Sequence, residues 1–456
     1  MSSETAKRPA DGNTLLLARA LRLLPPLGTN KKVIAFVGAG GKTTAIFQLA
    51  RQLPPPVLVT TTTHLGTWQV ALADQHVTGQ SIRELADHEF HGVTLVTGSV
   101  QGERVVAVKE DILYWLRAYQ QEHDGTLLIE ADGSHQKPLK APNEYEPVIP
   151  RFTDEVAVVA GLGGLGKPLN AAHVHRPQFF SSLSGLSLND EITPEAVTRV
   201  LTDPSGGLKN VLPSARRIVF LNQADTAELQ AVGGKQAGPL LETFDAAVVG
   251  SLEQSRFQTF ERTAGIVLAA GGSARFGQPK QLLDWHGEPF IRVVTKTALK
   301  AGLSPVIVVI GANAEQVQSR TRDLPVRIIR NESWETGQGS SIRAGVQAIP
   351  DRTGAAVFLL ADQPQIKADV IRALIDHHST ELYPIIAPLV LMEQRANPVL
   401  FDRITFPDLL KLDGDVGGRA IFSKYPVEYL PWQDDRLLLD VDQPDDYRRL
   451  IEDDTL

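Results

Sequence analysis

The chain has 456 residues, of which 43% are hydrophobic and 21% charged, the composition of a globular protein with two or three domains. It contains no cysteine, which excludes disulfides, thiolate metal sites and cysteine nucleophiles. The formal net charge of -8 gives no electrostatic reason to expect nucleic acid or an anionic membrane as a partner. We expect neither a signal peptide nor a spanning helix, and we predict a cytoplasmic location.

Short apolar runs alternate with helical stretches along the chain, which is typical of α/β domains with parallel sheets. The segment Ser251–Thr263 is polar and is predicted to be poor in strands. We therefore place a boundary near residue 255, giving domains 1–255 and 256–456. The predicted strands, in chain order, are Val33–Val37, Val57–Val59, Val93–Val96, Leu127–Ile129, Val156–Ala160, Ile218–Leu221, Gly265–Leu268, Val306–Ile310, Val326–Ile329, Ala356–Leu360 and Ile385–Pro388.

The first strand leads into a glycine-rich loop with the order of residues found in a phosphate-binding P-loop. In such a loop the backbone amides surround the β-phosphate, the lysine reaches the outer phosphates and the hydroxyl binds Mg²⁺. The usual spacing would place a glycine where Phe36 stands, so the loop matches the shorter Gly-x-x-Gly-Lys-Thr form. A structural turn is the alternative. The residues predicted to bind nucleotide here are Gly38, Gly40, Gly41, Lys42, Thr43 and Thr44, with Thr43 also a metal ligand.

Two later strand ends support a nucleotide site in this domain. The apolar run Leu127–Ile129 is followed by Glu130 and Asp132, and either carboxylate is suited to assist Mg²⁺ or to orient a water. The string Val219–Asp225 is similar to the Asn-Lys-x-Asp element with which GTPases read guanine, although Gln223 replaces the lysine. Asn222 and Asp225 are therefore candidates for base recognition, and an ordinary turn is the alternative.

Three further patterns are open to two interpretations. The hydroxyls of Thr60–Thr63, which precede His64, either face a metal or simply reflect the strand preference of threonine. The cluster His173, His175 and Arg176 is suited to an anion or a metal, but two histidines are too few for us to assign a metal. The string Gly161–Gly166 fits a dinucleotide-binding pattern, and we reject that interpretation because no apolar helical stripe follows.

The strongest motif is the string Leu268–Lys280, which follows an apolar strand directly. Glycines here let the backbone approach phosphates, and successive amides form a concave anion site. Two cations, Arg275 and Lys280, stand beside it. The residues predicted to bind nucleotide in the loop are Ala269, Ala270, Gly271, Gly272, Ser273 and Gly277.

Nucleotidyl transfer between two anions would depend on positioning and on charge neutralisation. Asp362, at the end of an apolar strand, is suited to hold Mg²⁺, whereas a helix-capping aspartate is the alternative. Asp440 or Asp442 is suited to supply a second carboxylate. Arg275, Lys280 and Asp362 are the predicted catalytic residues.

The second domain resembles the nucleotidyltransferases that include the molybdenum cofactor guanylyl- and cytidylyltransferases. The resemblance rests on the loop, on a Thr-Gly-Gln-Gly-Ser-Ser-Ile-Arg-Ala-Gly segment within Asn331–Gly345, on Leu359–Pro364 and on Asp440–Asp445. It implies Mg²⁺ at Asp362 and Asp442, nucleotide contacts by Ser340, Ser341 and Gly345, and molybdopterin as the acceptor. Ala270 occupies a loop position where the cytidylyl branch has alanine, which implies CTP as substrate.

The first domain resembles the accessory proteins of selenium-dependent molybdenum hydroxylases, through its loop, Thr60–His64 and the string Glu130–Pro142. The predicted fold class is thus α/β, with a P-loop-like nucleotide-binding domain followed by a Rossmann-like nucleotidyltransferase domain. The resemblances imply a cytidylyltransferase fused to a domain that binds ATP or GTP, with a molybdenum hydroxylase apoenzyme as a candidate partner. The alternatives are transfer to a sugar phosphate or another phosphorylated alcohol, and a nucleotide-dependent chaperone or scaffold role for the first domain.

Overall fold

The computed structural model describes residues 15–29, 31–272, 276–390 and 394–453. The chain divides into two units, Met1–Phe260 and Glu261–Leu456. Both units are mixed α/β structures built on large, mostly parallel sheets, as the sequence predicted. No helix within the described ranges has both the length and the apolar content that crossing a bilayer requires.

The first unit follows the predicted alternation of strands and helices. Its strands are β1 (Val33–Gly38), β2 (Val57–Thr61), β3 (His64–Gly66), β4 (Gln75–Thr78), β5 (Val93–Thr97), β6 (Val100–Gln101), β7 (Arg104–Val106), β8 (Thr126–Glu130), β9 (Leu139–Lys140), β10 (Glu155–Gly161), β11 (Val174–His175), β12 (Arg216–Asn222), β13 (Ala246–Ser251) and β14 (Arg256–Glu261). Its helices are α1 (Leu17–Ala20), α2 (Lys42–Gln52), α3 (Ile82–Ala86), α4 (Glu110–Glu122), α5 (Pro177–Ser184), α6 (Pro194–Thr202) and α7 (Ala227–Leu240).

The main sheet of the first unit has the strand order β14-β13-β12-β10-β1-β8-β2-β5-β4. Strand β1 lies between β10 and β8 and runs parallel to both. Every residue of β2, β5, β8 and β10 is buried, which is why these strands read as continuous apolar runs rather than as alternating ones. Since parallel strands end at the same edge of a sheet, the polar residues that follow β1, β8 and β12 lie close together.

The prediction that Ser251–Thr263 is poor in strands is wrong, because β14 occupies its middle. Phe257 and Thr259 are 2% and 1% exposed, while Arg256 faces solvent. The ring of Phe257 packs against Phe220 of β12, with 5.9 Å between ring centroids. A polar strand with one buried face at a sheet edge therefore closes the first unit.

The second unit has its own sheet, flanked by helices. Its strands are β15 (Thr263–Ala269), β16 (Asp284–Trp285), β17 (Glu288–Pro289), β18 (Val306–Ile310), β19 (Arg327–Arg330), β20 (Ala355–Leu360), β21 (Ile385–Val390), β22 (Gln394–Arg395), β23 (Val399–Asp402) and β24 (Val427–Pro431). Its helices are α8 (Phe290–Lys300), α9 (Ala314–Ser319), α10 (Gln338–Gln347), α11 (Ala368–Glu381), α12 (Phe406–Leu409) and α13 (Pro444–Asp453).

This sheet has the order β19-β18-β15-β20-β23-β21-β22, with β24 beside β21. Alternate residues of β15 serve opposite faces, since Ile266 packs in one apolar cluster and Val267 in the other. Strands β15 and β20 are parallel neighbours, with Leu268 opposite Leu360. Their carboxyl ends therefore bring the glycine-rich loop and Asp362 to the same edge of the sheet.

Candidate functional sites

The loop after β1 in the first unit can be built only with glycine at three positions. Gly38, Gly40 and Gly41 have φ values of 96°, 83° and 121°, a region that side chains avoid. A β-carbon at Gly40 would lie 2.3 Å from the backbone nitrogen of Gly161 in β10. The Gly38 amide donates to the carboxylate of Asp132, at 3.0 and 3.1 Å from its two oxygens. The loop is thus closely held by the ends of the neighbouring strands.

Lys42 belongs to a buried chain of alternating charges. Its Nζ donates to the Gly38 carbonyl at 2.7 Å and lies 3.1 Å from Asp132, which also accepts from Lys140 at 2.7 Å. Lys140 in turn bonds Glu146 at 2.7 Å. Lys42, Lys140 and Asp132 are 2%, 8% and 2% exposed. Lys140 and Glu146 were not predicted as site residues, although Lys140 lies in the string Glu130–Pro142.

Arg176 completes this chain, with its guanidinium 2.8 Å from Glu146. Burial alone would raise the pKa of Glu146, but the hydrogen bonds from Arg176 and Lys140 outweigh it and lower that pKa to about 2. His175 packs its ring on His135, with 4.6 Å between centroids. Burial, followed by the charges of Arg176 and Lys140, lowers the pKa of His175 to about 4, so this ring is neutral at physiological pH.

Thr43 and Glu130 form a hydrogen-bonded pair beside the loop. The Thr43 hydroxyl donates to Glu130 at 2.7 Å, and the same oxygen accepts from the Gln69 amide at 2.8 Å. Burial raises the pKa of Glu130, against the charge of Lys42 and the Thr43 hydrogen bond. Of the two carboxylates left open by the sequence, Glu130 faces the hydroxyl and Asp132 faces the lysine. Gln69 was missed because its link to Thr43 is purely tertiary.

The two residues proposed for base recognition have different surroundings. Asn222 is buried, and its amide nitrogen donates to the Gly40 carbonyl at 2.7 Å while its oxygen accepts from the Leu252 amide at 3.1 Å. Both of its polar atoms therefore hold the loop. Asp225 is exposed, and its backbone carbonyl accepts a hydrogen bond from the Gln254 side-chain amide. The structure brings Asn222 to the loop as a support and leaves Asp225 at the surface.

The threonine run Thr60–Thr63, at the end of β2, forms hydrogen bonds to backbone carbonyls of other segments. The Thr60 hydroxyl donates to the Val96 carbonyl, that of Thr61 to the Glu130 carbonyl and that of Thr62 to the Val148 carbonyl. Among the described residues, no three or more His, Asp or Glu side chains form a cluster that could hold a metal ion. The His173, His175 and Arg176 cluster likewise provides no metal cage.

A cavity of about 820 Å³ opens above the loop of the first unit. Its floor is formed by Gly40–Thr44 and Glu130. The remaining wall carries an aromatic side chain and several cations and polar groups, namely His64, Gly66, Thr67, Trp68, Gln69, Glu103, Arg104, Gly133, Ser134, His135, Gln136, Lys137 and Gln223. This volume is in the range of sites that enclose a small organic ligand.

In the second unit, the loop after β15 is tied down by a glutamine. The Gln281 amide donates to the carbonyls of Ala269 and Gly271, at 3.2 and 2.6 Å. Ala269 and Ala270 are buried, and Gly271 and Gly272 are exposed and line a cavity of the second unit. Gly277 has a φ of 79° and is exposed. The predicted site residues Ser273 and Arg275 lie outside the described residues.

The predicted lysine and carboxylates of the second unit come together across the loop. Lys280 Nζ lies 2.5 Å from Asp442 and 3.8 Å from Asp362. Burial raises the pKa of Asp362 to about 6, against the Lys280 charge, and the charges of Asp440 and Asp442 add to the rise. Asp440 accepts from Gln363, and burial raises the pKa of Asp440 as well. Asp362 does not cap a helix, since α11 begins after Lys367.

The segment Asn331–Gly345 contributes in two ways. Ser340 and Ser341 both accept from the Asn331 amide, at 2.8 and 3.0 Å, and Ser341 lines the cavity. Gly345 packs in the core instead, since a β-carbon there would lie 2.7 Å from Ile266. Trp334, which sequence reasoning did not single out, packs so closely that a β-carbon on Gly272 would meet its ring at 3.1 Å.

Two cavities share a wall at this edge of the second unit. The first, of about 370 Å³, is lined by Ala270–Gly272, Lys280, Trp334, Ser341 and Asp362, among others. The second, of about 330 Å³, is lined by Phe358, Asn397, Phe401, Arg419 and Asp440, among others. Leu268, Gln338 and Leu360 line both cavities. A cavity at the glycine-rich loop thus adjoins a second, partly aromatic cavity at the carboxyl ends of β15 and β20.

A glycine-rich loop at the end of a central parallel strand, with a lysine and an aspartate opposite, makes the second unit a nucleotidyltransferase domain. A family model described as MobA-like NTP transferase domain matches residues 265–429, and one described as YqeC protein matches residues 34–178. The chain belongs to the YqeC family through its first unit and to the MobA-like NTP transferase family through its second. The latter family implies a nucleoside triphosphate substrate and a divalent metal.

Individual relatives match one unit each. The YqeC protein of Escherichia coli K12 is 35% identical over 217 residues, covering 45% of this chain and 82% of that protein. The nicotine blue oxidoreductase of Paenarthrobacter nicotinovorans is 32% identical over 197 residues, covering 41% of this chain and 95% of the relative. The crystal structure of Rv0371c from Mycobacterium tuberculosis H37Rv is 30% identical, covers 42% of this chain and 98% of that one, and has a TM-score of 0.39.

Proposed function

We propose that the second unit transfers CMP from CTP to the phosphate of molybdenum-bearing molybdopterin. A phosphate oxygen of the acceptor attacks the α-phosphorus of CTP, the bond to the bridging oxygen breaks, and pyrophosphate leaves. The observation that carries the proposal is the pair of adjoining cavities, the first of which is lined by Lys280 and Asp362. One cavity suits a triphosphate and the other a flat phosphorylated acceptor.

The acceptor side has the chemistry of a flat, partly apolar anion. The buried rings of Phe358 and Phe401 line this cavity, with 5.3 Å between their centroids, while Arg419 and Asn397 add a cation and an amide. The mixture of rings and polar groups suits the pterin, and the choice of acceptor in an activity assay separates it from a sugar phosphate. The methyl group of Ala270 takes space that a glycine would leave open in the nucleotide cavity, which favours the smaller base of CTP over that of GTP.

The carboxylates at this site fit a divalent cation such as Mg²⁺. Asp362 and Asp442 are oxygen donors, and the raised pKa of Asp362 reflects burial among negative charges that a cation would offset. When bound, the metal neutralises phosphate oxygens during transfer. Lys280 holds the triphosphate, and its position between Asp362 and Asp442 keeps it directed at the loop.

Pyrophosphate release by the purified chain tests the proposal, with Mg²⁺, molybdenum-bearing molybdopterin and either CTP, GTP or ATP. Release with CTP alone is the expected result. Release with GTP instead would overturn the base assignment and retain the reaction. No release with any nucleotide, followed by release with sugar phosphates as acceptors, would replace the molybdopterin proposal with the sugar-phosphate alternative.

We further propose that the first unit binds ATP or GTP at Gly38–Thr44 in P-loop fashion. The three glycines of positive φ, Lys42 beside them and the Thr43–Glu130 pair support this role. The hydroxyl and the carboxylate are hard oxygen donors at a phosphate loop, which fits Mg²⁺. Formation of a small-molecule product at the expense of ATP would indicate an enzyme, and slow or partner-dependent hydrolysis would indicate a chaperone or scaffold for a molybdenum hydroxylase.

A further inference from the structure

The base of a nucleotide in the first unit needs a binding surface that the loop and the strand ends do not provide. Asn222 uses both of its polar atoms to hold Gly40 and Leu252, and Asp225 is exposed and does not line the cavity. The opposite wall of the cavity carries one large aromatic side chain, Trp68. We propose that the indole of Trp68 is the platform on which that base stacks.

Trp68 is unusual in being both exposed and fixed in place. The residue is 61% exposed. A β-carbon at Gly66 would lie 2.6 Å from the indole nitrogen, so the ring lies directly over the backbone of that glycine. A solvent-facing indole costs free energy by exposing apolar surface, and this cost is removed when a flat ligand covers it.

The position of Trp68 is linked directly to the proposed phosphate site. The neighbouring residue Gln69 donates to the Thr43 hydroxyl at 2.8 Å and accepts from the Gly66 amide at 2.7 Å. Gln69 is 9% exposed. The 3-10 turn Thr67–Leu72, which carries Trp68, is thereby fastened to the residue that follows Lys42. A ligand with phosphates on the loop and a planar group beyond them therefore meets the indole.

The surrounding charges suit the same ligand. Arg104, paired with Gly66 across the β3 and β7 strands, lines the cavity together with Lys42 and Lys137, and these three cations outnumber the two carboxylates of the lining, Glu103 and Glu130. These cations favour an anionic ligand, whereas an apolar partner peptide would have to leave them unpaired. Stacking on an indole tolerates any base. The platform would therefore hold a nucleotide even though Gln223 replaces the lysine of the guanine-reading element. This inference rests on the proposed nucleotide site.

The test is calorimetric titration of the full chain with Mg²⁺ and ATP, GTP or inorganic tripolyphosphate, which lacks a base. Binding at the first unit is taken as the portion that Lys42→Ala removes. In Trp68→Ala we expect ATP and GTP affinity at that site to fall about tenfold, with tripolyphosphate affinity unchanged. Trp68→Phe should restore most of the nucleotide affinity. Tyr114→Ala, which removes an aromatic ring that is 50% exposed and lies outside the cavity lining, is the matched control.

The outcomes separate the two proposals. Nucleotide affinity that stays within twofold in Trp68→Ala, or falls equally for tripolyphosphate, would overturn the stacking role and leave the phosphate site standing. The absence of any Lys42-dependent binding of nucleotide or tripolyphosphate would overturn the phosphate site, and the platform with it.

Discussion

Both units contain a glycine-rich loop with a lysine beside it, but the two lysines differ in how deeply their ion pairs are buried. In each, a glycine-rich loop follows a central parallel strand, and a lysine faces an aspartate from the next strand. Lys42 and Asp132 are both 2% exposed, whereas the side chains of Lys280 and its partner Asp442 are 12% and 56% exposed. Removing one partner of a buried ion pair is strongly destabilising because it leaves the other charge buried and unpaired. Removing one partner of an exposed pair costs little because water solvates the remaining charge. The lysine of the first unit is thus part of the fold as well as of the site.

The largest difference should appear in stability. Lys42→Met leaves Asp132 buried with only Lys140 and the Gly38 amide, and we expect it to lower the free energy of unfolding by about 3 kcal/mol. Lys280→Met should lower it by about 1 kcal/mol or less. Urea unfolding of both variants measures the contrast. The double variant Lys42→Met with Asp132→Asn should recover part of the loss, and equal losses in both single variants would remove the distinction between the units.

Substitutions in the second unit should have the larger effect on activity. Asp362→Asn removes a carboxylate that faces Lys280 and should lower the rate of pyrophosphate release at least about a hundredfold, with the fold intact. Asp369→Asn, an exposed aspartate of the same unit, serves as the control and should leave the rate within a factor of two. A hundredfold loss in the control as well, or a rate in Asp362→Asn close to that of the natural chain, would contradict the assigned role.

Substituting a loop glycine should cost more stability in the first unit than in the second. Gly40→Ala forces a side chain to a φ of 83° and against Gly161, and should cost about 2 kcal/mol of stability. At Gly271, no described atom lies within 4 Å of a β-carbon, so Gly271→Ala should change stability by less than about 0.5 kcal/mol. Thermal unfolding compares the two. A stable Gly40→Ala protein would mean that the first loop is less constrained than its contacts indicate.

The smallest effect is the contribution of His175 to the pH dependence of stability. Because burial and nearby cations lower the pKa of His175 from 6.5 to about 4, the unfolded chain binds more protons than the folded one between these values. The contribution of His175 to stability is therefore full above pH 6.5 and falls as the pH drops toward 4, whereas the raised pKa of Asp362 contributes with the opposite sign. We expect a loss of about 1 kcal/mol between pH 7 and 5, after allowing for partial exposure. His175→Asn should flatten that slope in urea titrations, and an unchanged slope would assign it to other groups.

Much of this organisation could be predicted from the sequence. The buried parallel strands read as apolar runs, and the motifs that follow β1, β8, β15 and β20 were found because strand ends carry polar residues in fixed order. Strand β14 was missed because only Phe257 and Thr259 are buried in a polar segment. Gly345 was assigned to the nucleotide by resemblance, yet its lack of a side chain serves packing against Ile266.

The supports of the first site could not have been predicted, because they join residues far apart in the chain. The bonds from Gln69 to Thr43 and from Lys140 to Asp132 depend on how the strand ends meet. Asn222 was recognised as a candidate site residue through a motif similarity that does not predict its support of the loop. In the structure its amide nitrogen donates to the Gly40 carbonyl, 182 residues away.

The contact between Gly41 and Asn222 limits how this protein can diverge. A β-carbon at position 41 would lie 2.5 Å from the Asn222 amide nitrogen, so a larger residue at 41 requires a smaller one at 222. A smaller residue at 222, however, would leave the Gly40 carbonyl and the Leu252 amide without their partner. Neither position can change alone, and a joint change must also rebuild the chain around Leu252. Among homologues, positions 41 and 222 should therefore vary together or stay fixed.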